Sequence, residues 1–208
     1  MLVYTKLTDF NVDIYLLRHG LSTANEQRLV CGASDYPLSS AGISQAARVC
    51  RHLSKIPFTR IYSSPLSRAY ETISTLNRQV ENTLEPELIE LDTGEASHLN
   101  VDQLWAEEPR YRYQGLNPDL RYPGGECLND MLHRIGRWYE RRSQEWTPED
   151  TILISGHEGT VCGILHHLLE LRVTNYPTFA IGNCDYVRIK IDANAQVRYQ
   201  FVPLISVG

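Results

Sequence analysis

Long apolar runs are missing from this sequence. No stretch approaches the roughly 20 residues that a membrane-spanning helix requires. The opening residues Met1, Leu2, Val3, Tyr4, Thr5 and Lys6 carry no basic segment followed by an apolar core of the kind that directs secretion. Cysteine pairing is missing as well. The five cysteines, Cys31, Cys50, Cys127, Cys162 and Cys184, are odd in number, scattered and nowhere spaced as C-x-x-C. That pattern argues against a disulfide framework or a zinc site and predicts buried, reduced thiols in a cytoplasmic protein. Excess positive charge is absent: the net charge of −5 excludes a general affinity for nucleic acid or an anionic membrane. An anionic ligand would therefore have to be captured by local positive charge. Lysine is scarce, since 17 of the 20 basic residues are arginine, and arginine grips phosphate in a bidentate fork. Internal repeats and low-complexity linkers are also lacking, and 208 residues suit one domain spanning 1–208 with a modest insertion.

What is present alternates between two periods. Residues 12–17, 59–62, 87–91, 151–155, 185–191 and 197–202 read as short strands. Helical spacing runs over 39–53, with Ser39 or Ser40 as N-cap, and over 125–146 and 158–171. Ser64 before Pro65 predicts a capped helix continuing to about residue 79. This alternation predicts an α/β fold, a three-layer αβα sandwich around a mostly parallel central sheet. In such folds ligands collect beyond the carboxyl ends of the strands. Residues 95–122, with Trp105, Tyr111, Tyr113 and Tyr122 among Arg110, Arg112 and Arg121, show little periodicity. They read equally as a small insertion capping that edge or as a surface excursion.

Four polar clusters fall near predicted strand ends. Arg18, His19 and Gly20 follow the first strand, with Asn25 six residues beyond the histidine. Ser63, Ser64, Pro65, Leu66, Ser67 and Arg68 follow the second, placing Arg68 in the first helical turn. Glu90 and Asp92 offer carboxyl groups able to protonate a leaving alkoxide. His157 stands at a later strand-to-helix junction, between Gly156 and Glu158. Taken singly, each has a structural reading: a capping or core histidine, or an exposed arginine.

Taken in order, these clusters resemble the histidine phosphatase superfamily. The likeness covers nearly the whole chain. It includes the Arg18-His19-Gly20 opening, Asn25, and the run from Cys31 to Ser39. It continues through the segment from Ser63 to Ala69, Glu90 four residues before Gly94, Pro123-Gly124-Gly125-Glu126, and the late His157. The resemblance implies that His19 is the nucleophile and Glu90 the proton donor. It implies that Arg18, Asn25, Arg68 and His157 form the phosphate pocket, with no metal and no cofactor. The physics is consistent: imidazole attacks only when neutral, and two neighbouring guanidinium groups disfavour its protonated form.

Some positions depart from the family pattern. Many relatives have Ser-His-Gly where this chain has Gly156-His157-Glu158, and arginine where it has Cys162. Gly94-Glu95-Ala96-Ser97-His98 replaces a frequent Gly-x-Trp-Glu-Gly. These differences touch expected substrate contacts rather than the phosphate pocket, and His98 reads more readily as an exposed loop histidine than as a substrate contact. The expected partner is a small phosphorylated metabolite, and a homodimer is compatible with the resemblance. Hydrolysis, as in alpha-ribazole and broad-specificity phosphatases, is favoured over phosphoglycerate mutase chemistry, because Arg110 and Arg112 are not adjacent. A catalytically retired binding module is disfavoured by the joint presence of all five reacting residues.

Overall fold

The computed structural model describes residues 12–76, 79–112, 114–192, 194 and 196–206. In chain order the elements are β1 (Val12–Arg18), α1 (Thr23–Glu26), α2 (Ser40–Leu53), β2 (Arg60–Ser63), α3 (Ser67–Thr72) and β3 (Asn82–Leu84). They continue as α4 (Val101–Glu107), α5 (Leu128–Ser143), β4 (Thr151–Gly156), α6 (Glu158–Leu168), β5 (Tyr186–Ile191) and β6 (Val197–Val202). The strands form one sheet in the order β3-β2-β4-β1-β5-β6. The first four strands in that order run parallel, and β5 and β6 add antiparallel pairs at one edge.

Alternation along β1 and β4 divides the core into two layers. Ile14, Leu16, Ile152 and Ile154 face α5 and α6, packing with Met131, Ile135, Trp138 and Val161. Tyr15, Leu17 and Leu153 face the other way, against Val49 and Leu53 of α2. Each fully buried aliphatic side chain contributes about 1.5–3 kcal/mol. The continuous apolar runs of β1 and β4 reflect burial on both faces, as a covered parallel sheet demands. The α/β sandwich expected from the alternation of periods is therefore the fold observed. Among the described residues, no helix is long and apolar enough to cross a membrane.

Several local expectations differ. Ser39 does cap α2, accepting the Gly42 N–H at 3.1 Å. Residues 87–91 are not a strand: β3 ends at Leu84 and a single 3₁₀ turn follows at Pro86–Leu88. Proline brings no N–H to a ladder, and the Glu87 and Ile89 carbonyls are taken by the Arg134 guanidinium instead of a neighbouring strand. The helix predicted to begin at Ser64 begins at Ser67, with Leu66 extended before it. Asp35, from a distant loop, accepts both the Ser67 N–H and its hydroxyl, so no local cap is used. That helix stops at Thr72, short of residue 79, and residues 77–78 lie outside the described part. Helix α5 is shorter than expected at both ends, and α6 begins at Glu158 as expected but stops at Leu168 rather than at residue 171. Of the cysteines, four are buried, whereas Cys31 is only half-buried, and none of the five is paired.

Candidate active site

The parallel register brings three chain segments to one edge. Arg18 lies opposite Gly156, and Ser63 opposite Ser155. The ladder then runs one residue further on each side: the His19 N–H donates to the Gly156 carbonyl, and the Ser64 N–H to the Ser155 carbonyl, both at 2.9 Å. His19, His157 and Ser64 thus emerge side by side at the carboxyl ends of β1, β4 and β2. Ligands bind at that end of open α/β sheets.

His19 is 4% exposed, and its ring centroid lies 5.2 Å from that of His157. Its Nδ1 sits 2.6 Å from the Gly20 carbonyl oxygen. A carbonyl can only accept, so Nδ1 carries the hydrogen and Nε2 keeps its lone pair while the ring is neutral. Burial, then Arg68, then Arg18 hold the His19 pKa well below the ordinary histidine value, outweighing the Gly20 carbonyl. His157, fully buried, is held down in the same way by burial and by Arg68. Its Nε2 is 2.9 Å from the Ser64 hydroxyl.

The two arginines reach the pocket from different elements. Arg68, in α3, is fully buried and donates through Nη1 to the Ser34 carbonyl (2.7 Å) and through Nη2 to the Gly32 carbonyl (2.8 Å). The loop that offers these carbonyls depends on Gly32, whose φ is +49° and whose absent Cβ would lie 2.1 Å from Thr93 Oγ1. Arg18, the last residue of β1, donates through Nη1 to the Ile181 carbonyl and pairs with Glu158 at 3.0 Å. Three buried nitrogens at this edge have no hydrogen-bond partner among the described residues: Arg18 Nε, Arg68 Nε and His157 Nδ1. Buried polar groups are ordinarily satisfied, and these three stand at the strand edge that carries His19.

Asn25 closes the α1 capping box, accepting the Ser22 N–H at 3.2 Å through Oδ1. It joins the cluster through Asn183, whose amide donates to the His19 carbonyl at 3.0 Å and lies 3.5 Å from Asn25 Oδ1. Glu90 accepts its own neighbour's N–H, from Leu91, at 2.9 Å and the Gly159 N–H at 3.1 Å. A Cβ at Gly159 would stand 2.0 Å from Glu90 Oε1, so a side chain there would displace the Glu90 carboxyl group. Arg18, His19, Asn25, Arg68, Glu90 and His157 are therefore all brought to one edge of the sheet.

Other contributors were not evident from the sequence as functional. Ser64 reads locally as a helix cap, yet its hydroxyl meets His157. Arg134, on α5, clamps the backbone ahead of Glu90 through the Glu87 and Ile89 carbonyls, while its other nitrogens hold Glu126 at 2.9 and 2.7 Å. Nothing local to residue 134 signals the clamp, because the two carbonyls it takes are 45 and 47 positions away in the chain. In residues 95–122, Tyr111 stacks on Tyr122 at 4.3 Å and both are buried, so these rings pack the segment itself. Tyr113 lies outside the described residues. His98 is exposed and hydrogen-bonds the Tyr36 hydroxyl.

Comparison with known proteins gives the chain's relatives. A probable-function relative from Salmonella choleraesuis (strain SC-B67), named "Probable phosphoglycerate mutase GpmB", is 34% identical over 128 residues, which is 60% of this chain and 60% of that protein. The match thus spans less than two thirds of either chain. A mycobacterial glucosyl-3-phosphoglycerate phosphatase solved with VO3 superposes with a TM-score of 0.79 at 25% identity, covering 92% of this chain and 97% of that one. A phosphoserine phosphatase of Entamoeba histolytica, solved with phosphoserine, shares the fold with a TM-score of 0.80 at 21% identity, covering 95% of this chain and all of the other. The family model described as histidine phosphatase superfamily (branch 1) matches residues 14–200, and the chain belongs to that family.

Proposed function

We propose that this chain hydrolyses small phosphomonoesters through a phosphohistidine formed on His19, without a metal ion. The observation that carries this reading is the group of unpartnered buried donors, Arg18 Nε, Arg68 Nε and His157 Nδ1, beside a histidine whose Nε2 is free and kept neutral. In the first step His19 Nε2 attacks phosphorus, the ester P–O bond breaks, and Glu90 gives its proton to the departing alkoxide. The two guanidinium groups and the His157 N–H offset the charge spread over the equatorial phosphoryl oxygens. We assign the Ser64 hydroxyl, 2.9 Å from His157 Nε2, as donor in that bond, which leaves the ring hydrogen on Nδ1 for the phosphoryl group. In the second step Glu90, now a carboxylate, takes a proton from water as that water attacks phosphorus, the P–N bond to His19 breaks, and inorganic phosphate leaves with neutral His19 restored. Asn25 helps fix the loop around His19 through Asn183.

We read residues 1–208 as one domain in which 95–122 are an insertion over the site. Its ends meet, with the Glu95 N–H donating to the Pro123 carbonyl at 2.9 Å, and it rests on the 28–30 loop through the His98 and Val101 N–H groups. The unpaired thiols support a reducing, cytoplasmic location. A homodimer is the assembly we expect from family resemblance, measurable by light scattering.

The test is hydrolysis of p-nitrophenyl phosphate with a chelator present, followed by acid quench and alkaline quench of the protein with labelled phosphate. A phosphoryl label stable to alkali and lost in acid, absent from His19→Ala, is expected. That variant should lose roughly 10⁴-fold or more in rate, as nucleophile deletions do. Unchanged activity in His19→Ala, or activity abolished by the chelator, would overturn the reading.

A further inference from the structure

The Arg18 side of the pocket holds a charge that none of these steps uses. Glu158, the first residue of α6 and the immediate neighbour of His157, places Oε2 3.0 Å from Arg18 Nη1. That same Nη1 donates to the Ile181 carbonyl, so the carboxylate is held against a fixed guanidinium. The Glu158 side chain keeps 38% of its surface exposed against 17% for Arg18, which puts the carboxylate on the open side of the pair. Burial raises the Glu158 pKa, Arg18 opposes that, and the charge of Glu90 raises it further, so the two carboxyl groups sense each other. Cys162 and Tyr176 sense both of them: burial and the two acids push the Cys162 thiol to about 12 and the Tyr176 phenol well up.

This arrangement has a consequence for the leaving group. Its oxygen has to meet Glu90, which accepts the N–H of Gly159, the residue after Glu158, so the remainder of the alcohol passes the half-exposed Glu158 carboxylate, whose Arg18 partner lies on the buried side of the pair. The arginines of the insertion are engaged elsewhere. Arg110 pairs with Glu108 at 2.9 Å, Arg121 with Asp130 at 2.5 Å, and the Arg112 guanidinium lies 5.4 Å from the centre of the Trp105 ring.

We infer that Glu158 is a specificity-determining residue that makes the leaving-group side of the pocket anionic. The chain then takes phosphomonoesters of neutral or cationic alcohols, phosphorylated amino alcohols above all, and discriminates against those that bear a carboxylate. The inference rests on the phosphomonoesterase reading given above. It uses repulsion of the wrong ligand as well as attraction of the right one, the usual physical basis of selectivity.

The test is competition against p-nitrophenyl phosphate hydrolysis by three esters of similar size. These are O-phosphoethanolamine, glycerol 3-phosphate and 3-phosphoglycerate, whose alcohol portions are cationic, neutral and anionic. In the unaltered protein the inhibition constant of 3-phosphoglycerate should exceed that of O-phosphoethanolamine by roughly tenfold or more, a decade corresponding to about 1.4 kcal/mol. Glu158→Gln keeps the shape and removes the charge. It should bring the two constants to within about threefold, whatever its effect on phosphate affinity in general, whereas Glu158→Asp should retain the order. Equal constants in the unaltered protein, or an unchanged ratio in Glu158→Gln, would overturn the inference while leaving the phosphatase reading standing. Absence of p-nitrophenyl phosphate hydrolysis would remove both.

Discussion

The Arg68 side of the pocket and the Arg18 side present the same side chain with different partners. Arg68 is sealed from solvent and spends its hydrogen bonds on two neutral carbonyls, those of Gly32 and Ser34. Arg18 is partly exposed and is shared between the Ile181 carbonyl and the Glu158 carboxylate. Neutral dipoles orient a guanidinium without cancelling it, whereas a carboxylate at 3.0 Å offsets most of its field. One side therefore delivers an undiluted positive charge to a phosphoryl group. The other delivers a charge already partly balanced, with the carboxylate on the more exposed end of the pair. Two arginines near one histidine are not two equal anion receptors.

Substitutions should break the symmetry in that order. Arg68→Ala is expected to have the larger effect, lowering kcat/KM for p-nitrophenyl phosphate by roughly 10²–10³, the range seen when one preorganised donor is removed. It also strands the Gly32 and Ser34 carbonyls, so denaturant titration should show a loss of about 1–3 kcal/mol. Arg18→Ala should cost less in rate, on the order of tenfold to a hundredfold. Its stability change should be of similar size, about 1–3 kcal/mol, because it leaves the Ile181 carbonyl and the half-buried Glu158 carboxylate without their partner. An equal loss of rate in both variants would contradict the distinction between the two sides.

The histidines sharpen the comparison by a smaller and purely electrostatic effect. Both His19 and His157 are held neutral by burial first and by Arg68 before Arg18. NMR titration should therefore find both rings neutral well below the usual pKa of about 6.5. Arg68→Ala should shift the His19 titration upward by more than Arg18→Ala does. The same depression sets a sign for stability. Below about 6.5 the unfolded chain binds protons that the folded one refuses, so stability falls as pH drops from there toward the lowered folded values. Above that window these two histidines add no slope. A melting temperature that rose on acidification from pH 7 to 5 would count against the assignment.

Legibility in the sequence follows the range of the interaction concerned. The strands at 12–17 and 151–155 are visible because burial on both faces demands uninterrupted apolar residues, and α2 and α5 because one buried stripe imposes a 3.6-residue period. The strand expected at 87–91 is apolar enough, but Pro86 and the Arg134 clamp take its carbonyls out of the sheet. The early start expected at Ser64 rests on a local cap rule, and Asp35, 32 residues away from Ser67, supplies the cap instead. Ser64 is thereby left to meet His157.

The sequence by itself determined the layered α/β fold, the family, and the set of residue types at the strand ends, since these depend on periodicity and on short motifs read along the chain. Tertiary structure alone decided how those residues are charged. Whether an arginine faces carbonyls or a carboxylate, and whether a histidine is dry enough to stay neutral, depends on groups tens to more than a hundred residues apart. Burial and Coulomb energies vary with distance in space, and no local pattern encodes that distance.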